Sequence, residues 1–251
     1  MAPLLGTEAG RAETGVGAGG DRTVELDRLA EAAALACLAD FAAAGHPCSV
    51  LSEEAGLVHL GAEYPRVMLD PVDGSLNAKQ GLPVAAVMLS LVDGPTIGDV
   101  RLGWVLNLMS GERWHALRGA GAYHDGTVLV PLQSRAAAGR IGVLGVESIP
   151  RELRRLRPLI DRAAKLRLLG SMALSLAHTA AGGIEIFASP INARIFDMTA
   201  GVLMIREVGG VVTDLDGRSL EEARLGLESR TTLLAAADPA LHRLALDMLR
   251  G

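Results

Sequence analysis

Asp70 and Asp73 stand three residues apart at the end of the apolar run Arg66-Val67-Met68-Leu69, with Pro71 fixing the backbone between them. Hard divalent cations such as Mg2+ bind oxygen, and paired carboxylates on a rigid turn supply it. Gly74 permits a tight bend with its backbone close to a ligand. Ser75 and Asn77 can then start a helix whose free N–H groups attract an anion. Cation carboxylates beside an anion cradle suit phosphate chemistry. A polar strand-to-helix turn with an N-cap would also account for this stretch, so its meaning depends on what the rest of the chain brings to it.

Glu53 and Glu54 follow the short apolar run Ser49-Val50-Leu51, and on their own they read as solvated turn residues. If the strands at 49–51 and 66–69 lie adjacent, their C-terminal ends bring Glu53, Asp70 and Asp73 together. Asp197 follows Ile195-Phe196 and opens a predicted helix over 197–207. A carboxylate there can be a simple cap, yet the small residues Thr199, Ala200 and Gly201 let something pack unusually close. Asp27 and Glu31 share one face of an earlier helix, near an N-terminus that favours acids.

The elements that must carry these residues are legible in outline. Residues 1–22, centred on Gly15-Val16-Gly17-Ala18-Gly19-Gly20, read as a flexible arm. Thr23 is a fair N-cap for a helix whose apolar face is Leu26, Leu29, Ala33, Cys37, Leu38 and Phe41. Strands are predicted at 83–92, 100–107 and 112–117, with a hairpin turn at Asp125-Gly126. After Gln133 the pattern changes. A strand at 141–146, an Arg-rich helix at 150–164, a strand at 166–169 ending in Gly170-Ser171, and a helix at 172–181 follow one another. Further strands at 184–187, 211–212 and 233–237 and a final helix at 239–249 complete an α/β pattern with crossover connections. The change divides the chain into an α+β half, residues 1–135, and an α/β half, residues 136–251.

Composition narrows the function. The 251 residues are 49% hydrophobic but only 3% aromatic, so the core is built of Ala, Val, Leu and Ile. Few aromatics and a net charge of −5 without a basic run argue against nucleic acid as a partner. Lys occurs only at 79 and 165. Cys37 and Cys48 read as small buried hydrophobes, and no Cys/His cluster suggests zinc. Neither a signal peptide nor a membrane-spanning apolar run is visible, so a soluble cytoplasmic protein without a membrane partner is expected.

Taken together and in this order, Ser52-Glu53-Glu54, Asp70-Pro71-Val72-Asp73-Gly74-Ser75-Leu76-Asn77, Phe196-Asp197-Met198-Thr199-Ala200-Gly201 and Glu207-Val208-Gly209-Gly210-Val211-Val212-Thr213-Asp214 resemble the inositol monophosphatase family. These are Mg2+-dependent, lithium-sensitive sugar phosphatases. The likeness is strongest to the archaeal-type enzymes acting on inositol monophosphate and fructose 1,6-bisphosphate, and it runs from about Gly17 to the C-terminus. The resemblance implies a five-layered α-β-α-β-α sandwich, usually dimeric, of the α/β (α+β) class. It implies that Glu53, Asp70, Asp73, Asp197 and the Val72 carbonyl bind two or three Mg2+ ions, with Glu53 also catalytic. Gly74 and Ser75 would hold the phosphate through backbone N–H groups, and the Ser75 hydroxyl, paired with Asp27, would orient the attacking water. Gly170-Ser171 and the segment before Asp197 would lie beside the substrate alcohol. Residues 1–135 would then carry most metal ligands and 136–251 would close the active site.

The chain departs from the family pattern in places. Leu76 replaces a second threonine, Ala78 an aromatic, and Phe196 a tryptophan. The acid that contacts inositol in animal-type enzymes gives way to Ala188-Ser189-Pro190, while Asn192 and Arg194 precede Asp197. Arg194 is suited to gripping a second phosphate, although an exposed surface arginine would look the same in sequence. Only about twenty residues precede Thr23, so the family's first helix is largely missing, which bears on the dimer and on the active-site loop. The expected activity is hydrolysis of a small polyol or sugar phosphate. The alternatives are a nucleotide 3′-phosphatase of the same superfamily and a non-catalytic regulatory protein on this scaffold.

Overall fold

In the computed structural model, which describes residues 4–20, 22–130 and 139–251, the Gly-rich segment is a hairpin. Helix α1 (Glu8–Arg11) precedes strands β1 (Glu13–Val16) and β2 (Arg22–Val24), which pair antiparallel. The N–H groups of Ala18 and Gly19 donate to the carbonyls of Glu54 and Glu53 at 2.9 and 2.7 Å. These bonds tie the hairpin tip down, in contrast to the flexible arm expected from composition.

Helix α2 (Glu25–Ala43) begins one residue later than expected, with Val24 at its N-cap. Thr23 is not the cap; its hydroxyl donates to the Glu54 carboxylate. Leu26, Asp27, Ala30 and Glu31 are buried, whereas Leu29, Cys37 and Phe41 are exposed. Alanine-rich helices carry more than one apolar stripe, and of the expected face Leu26 and Leu38 pack inward while the rest does not. Cys48 is buried as expected; Cys37 is not.

The first sheet contains β3 (Cys48–Ser52), β4 (Gly56–Asp73), β5 (Ala86–Val92), β6 (Val100–Asn107), β7 (Arg113–Leu117), β8 (Gly121–His124) and β9 (Thr127–Val128), in that spatial order. Helix α3 (Ser75–Gln80) leaves the end of β4. The second half of β4 runs parallel to β3, with Ser49 opposite Arg66 and Ser52 opposite Leu69. Asp125 and Gly126 both have positive φ (47° and 78°), as a tight hairpin turn between β8 and β9 needs.

The second sheet contains β10 (Ile141–Val146), β11 (Ala163–Arg167), β12 (Ile186–Arg194), β13 (Val211–Thr213) and β14 (Arg230–Ala236), ordered β11-β10-β12-β14-β13. The helix expected over 150–164 is a 3-10 segment (Pro150–Leu156) followed by a single turn, α4 (Arg157–Ile160). Pro158 falls in the middle of that span and removes an N–H donor that a continuous helix would need, whereas Pro150 suits a first turn. The strand expected at 166–169 starts instead at Ala163. Helices α5 (Met172–Ala180), α6 (Thr199–Glu207) and α7 (Pro239–Arg250) complete the chain.

Helix α2 packs on β4, α5 and α6 fill the space between the sheets, and α4 and α7 cover the far face of the second sheet. The result is the expected α-β-α-β-α sandwich. The central layer is close because its residues are small. A Cβ on Gly103 of β6 would lie 2.7 Å from the Ala200 Cα of α6, and one on Gly201 would collide with Leu176 of α5. The boundary at 135/136 and the end of the strand-rich block near Gln133 lie outside the described residues. Among the described residues no helix is long and apolar enough to cross a membrane.

Candidate active site

Two neighbouring strands end together, and their exits make the site. With Ser52 opposite Leu69, the residues that leave β3 and β4 emerge at one edge of the sheet. Glu53 therefore stands beside Asp70 and Asp73, and none of the three is more than 9% exposed. Asp197 arrives from the other sheet, on the 3-10 turn Phe196–Met198 that follows β12. Asp27, Glu53, Asp70, Val72, Asp73, Gly74, Ser75, Gly170, Arg194 and Asp197 all line one cleft of about 360 Å³. Of the ligand and substrate residues expected from the family resemblance, Ser171 alone lies just beneath it, fully buried, its hydroxyl donating to Asp73.

Asp73 sits on the start of α5. Besides the Ser171 hydroxyl, the N–H groups of Met172 and Ala173 donate to it at 3.0 and 2.9 Å. Burial pushes its carboxyl up to about 7 even so; the Ser171 hydrogen bond opposes the shift and Asp197 adds to it. Asp70 is raised well above the usual carboxylate range, first by burial, then by the charges of Asp73, Glu53 and Asp197. Burial also lifts Glu53 to about 7, against the pull of Arg194. Three buried acids that resist ionising together, with the Asp197 charge beside them, are a poor structural core and a good seat for cations.

Arg194 supplies one such positive charge. Its Nη1 lies 2.6 Å from Glu53 Oε1 and its Nε 3.1 Å from Asp197 Oδ2. Those two charges hold the guanidinium above its ordinary value although burial alone would lower it. The side chain thus turns inward onto the acids, where the sequence had offered either a grip on a second phosphate or an exposed surface position. Among the described residues no three His, Cys, Asp or Glu side chains stand close enough to form a finished metal sphere. The donor set nevertheless fits a hard cation: it is all oxygen and carries surplus negative charge. Asp73 keeps acceptor capacity beyond its three hydrogen bonds.

Gly74 takes φ +93° at the start of α3, where a Cβ would lie 3.0 Å from the Val84 carbonyl and 3.1 Å from that of Gly170. Only glycine fits both demands. The first N–H groups of α3 have no intrahelical acceptors, and Gly74, Ser75 and Leu76 line the cleft. The Ser75 hydroxyl donates to the Val72 carbonyl at 2.8 Å, so two groups expected to serve ligands here satisfy each other. Asp27 is buried with its Oδ1 lacking a hydrogen-bond partner. Burial raises its carboxyl, partly offset by Lys79, the Val24 N–H and the Ser75 hydroxyl.

Three residues contribute in ways that the sequence did not assign to them. Lys79 lines the cleft with its Nζ 3.9 Å from Asp27; its signal was rarity, as one of two lysines, four residues after Ser75. Glu31 is buried, accepting from the Ser52 hydroxyl and from the Ala55 N–H at 2.8 Å. It braces the turn that carries Glu53. Asn77 donates to the carbonyls of Val84 and Leu169 at 3.0 and 2.7 Å, stapling α3 to the Gly170 loop of the second sheet.

Residues 4–250 match the inositol monophosphatase family. A fructose-1,6-bisphosphatase/inositol-1-monophosphatase of Methanothermobacter thermautotrophicus is 31% identical over 260 residues, covering 99% of this chain and 91% of its own length. A bifunctional NADP phosphatase/NAD kinase of Methanococcus maripaludis is 27% identical over 96% of this chain and 45% of its own length. Among solved structures, a Pyrococcus horikoshii protein described as similar to inositol-1 monophosphatase superposes with a TM-score of 0.80. It is 25% identical and covers 99% of this chain and 91% of its own.

Proposed function

The chain belongs to the inositol monophosphatase family and is a phosphoric monoester hydrolase, and we propose that its acidic cleft hydrolyses a small polyol or sugar phosphate with Mg2+. Inositol monophosphate and fructose 1,6-bisphosphate are the substrates named for its relative. Glu53, Asp70, Asp73, Asp197 and the Val72 carbonyl would hold two or three ions. When bound, such ions supply an acidified water and neutralise charge on the phosphoryl group. Everything else falls to the chain's own groups. Backbone N–H groups at Gly74 and Ser75 hold the phosphate against α3. The Ser75 hydroxyl orients the attacking water, and the buried Asp27 carboxylate takes the hydrogen bond or proton that Ser75 passes on. Gly170 flanks the leaving alcohol, whereas Ser171, expected there too, lies buried beneath the cleft and instead holds Asp73. Phosphoryl transfer asks for little beyond positioning and charge stabilisation, which this arrangement provides.

The observation that carries the reading is the parallel register of β3 and β4, which delivers three buried acids to the start of one short helix. A nucleotide phosphatase is the second reading, favoured by the NADP phosphatase relative. Against it, none of the described residues that line the cleft is aromatic and able to stack a base. A homodimer is proposed from the family habit, with the exposed Leu29, Cys37 and Phe41 of α2 as apolar surface that a partner would cover. A cytoplasmic location is likewise a proposal. The decisive experiment is phosphate release with Mg2+ over inositol phosphates, fructose 1,6-bisphosphate, other sugar phosphates, NADP+ and adenosine 3′,5′-bisphosphate. Turnover confined to the last two would replace the polyol reading, and no turnover on any ester would support a regulatory role.

A further inference from the structure

We infer that Arg194 is a built-in counter-ion of the cleft, occupying carboxylate oxygens of Glu53 and Asp197 that divalent cations would need, and that cation entry requires its guanidinium to leave. The inference rests on the reading of those two acids as cation ligands.

Three observations carry it. The guanidinium reaches both acids at once, at 2.6 and 3.1 Å, with only 15% of the side chain exposed. Those contacts use Glu53 Oε1 and Asp197 Oδ2, and a cation bound to either oxygen at a ligand distance near 2.1 Å cannot share that space with the guanidinium. The hairpin tip also roofs the arrangement. Gly19 is bonded through its N–H to the Glu53 carbonyl at 2.7 Å. A Cβ there would lie 2.8 Å from Arg194 Nη1 and 3.2 Å from Glu53 Cγ, so the glycine leaves room for the guanidinium.

The backbone of Arg194 is fixed, paired with Arg230 across β12 and β14, so only the side chain can move. In the absence of a divalent ion, the arginine screens two buried acids from one another. A doubly charged ion at the same place does so more strongly and expels it. The cation then binds only to the fraction of molecules whose arginine is away, and its apparent affinity falls by that fraction. The competing view makes Arg194 a positioning residue that stays in place and aims the two carboxylates. The two views predict opposite signs.

The test is calorimetric titration of MnCl2 into cation-stripped wild type, Arg194→Met and Gly19→Ala, with melting temperatures measured with and without Mn2+. Arg194→Met should melt several degrees lower without Mn2+, bind it on the order of tenfold more tightly, and close the melting gap at saturation. Gly19→Ala keeps every ligand residue and crowds the guanidinium more closely than the Glu53 side chain, so it should tighten Mn2+ by a smaller factor. It still reads out the inference if Arg194→Met fails to fold. Unchanged or weaker Mn2+ binding in both variants, beside a binding wild type, overturns the inference alone. A wild type that takes up no Mn2+ overturns the ligand reading and the inference with it.

Discussion

The two sides of the cleft quiet their acids by different means. On one side Asp73 is held by a hydroxyl and two backbone N–H groups of α5. On the other, Glu53 and Asp197 are held by the guanidinium of Arg194. Backbone dipoles are part of the helix and cannot leave. A side chain can. One side is therefore preorganised and the other exchangeable, and substitutions on the two sides should fail in different ways.

The largest effect is expected at the acids themselves. Asp70→Asn, Asp73→Asn and Asp197→Asn should each lower turnover on the order of a thousandfold or more, about 4 kcal/mol in the barrier, because each removes an anionic ligand without changing size. The sides then separate on stability. In Asp73→Asn an amide N–H2 replaces an oxygen that accepts from α5, at a cost of about 1–3 kcal/mol. Its melting temperature should fall below that of Asp197→Asn. Near-normal turnover at saturating Mg2+ would remove a residue from the cation site, and equal melting temperatures would erase the contrast between the sides.

Next come Ser75 and Asp27, on the preorganised side. If they act as one unit on the water, Ser75→Ala and Asp27→Asn should each lower kcat about 10²-fold or more, and the double variant little further. Losses that multiply in the double variant would give the two residues separate tasks.

Smaller still is the effect on substrate choice. An arginine displaced from Glu53 and Asp197 is free to meet a second phosphate, which the four acids cannot do. Arg194→Ala should lower kcat/KM for fructose 1,6-bisphosphate about ten- to a hundredfold, through a lost charge-assisted contact of about 1.5–3 kcal/mol, and for a monophosphate much less. Equal losses on both substrates would confine Arg194 to its role beside the acids.

Much of this was readable from residue order, and the exceptions share a cause. The convergence of Glu53 on Asp70 and Asp73 followed from acids placed directly after two apolar runs, because strand ends are fixed by pairing. The close central layer followed from Ala200-Gly201. What stayed hidden depended on distant partners. Glycines 17 and 19 read as flexibility until Glu54 and Arg194 were found packed against them. The buried face of α2 could not be chosen among alanines without knowing the sheet beneath it. The inward turn of Arg194 needed the position of Glu53, 141 residues away in the chain.

The smallest effect is on stability against pH, and it joins both sides. Glu53 and Asp73 are lifted to about 7, chiefly by burial, with Arg194 opposing the shift at one and the Ser171 hydrogen bond at the other. In the unfolded chain such groups titrate near 4. Between about pH 4 and pH 7 the folded protein therefore holds protons that the unfolded chain has lost, and stability falls as pH rises through that window. A divalent cation replaces those protons as the neutralising charge, so its stabilisation must grow over the same window. Melting temperatures with and without Mg2+ should differ by more at pH 8 than at pH 5, by a few degrees for a chain of this size. Removing Arg194 takes away the charge that holds Glu53 down, so Arg194→Met should widen the difference at pH 8. An Mg2+ effect independent of pH would mean that the ion binds away from these acids.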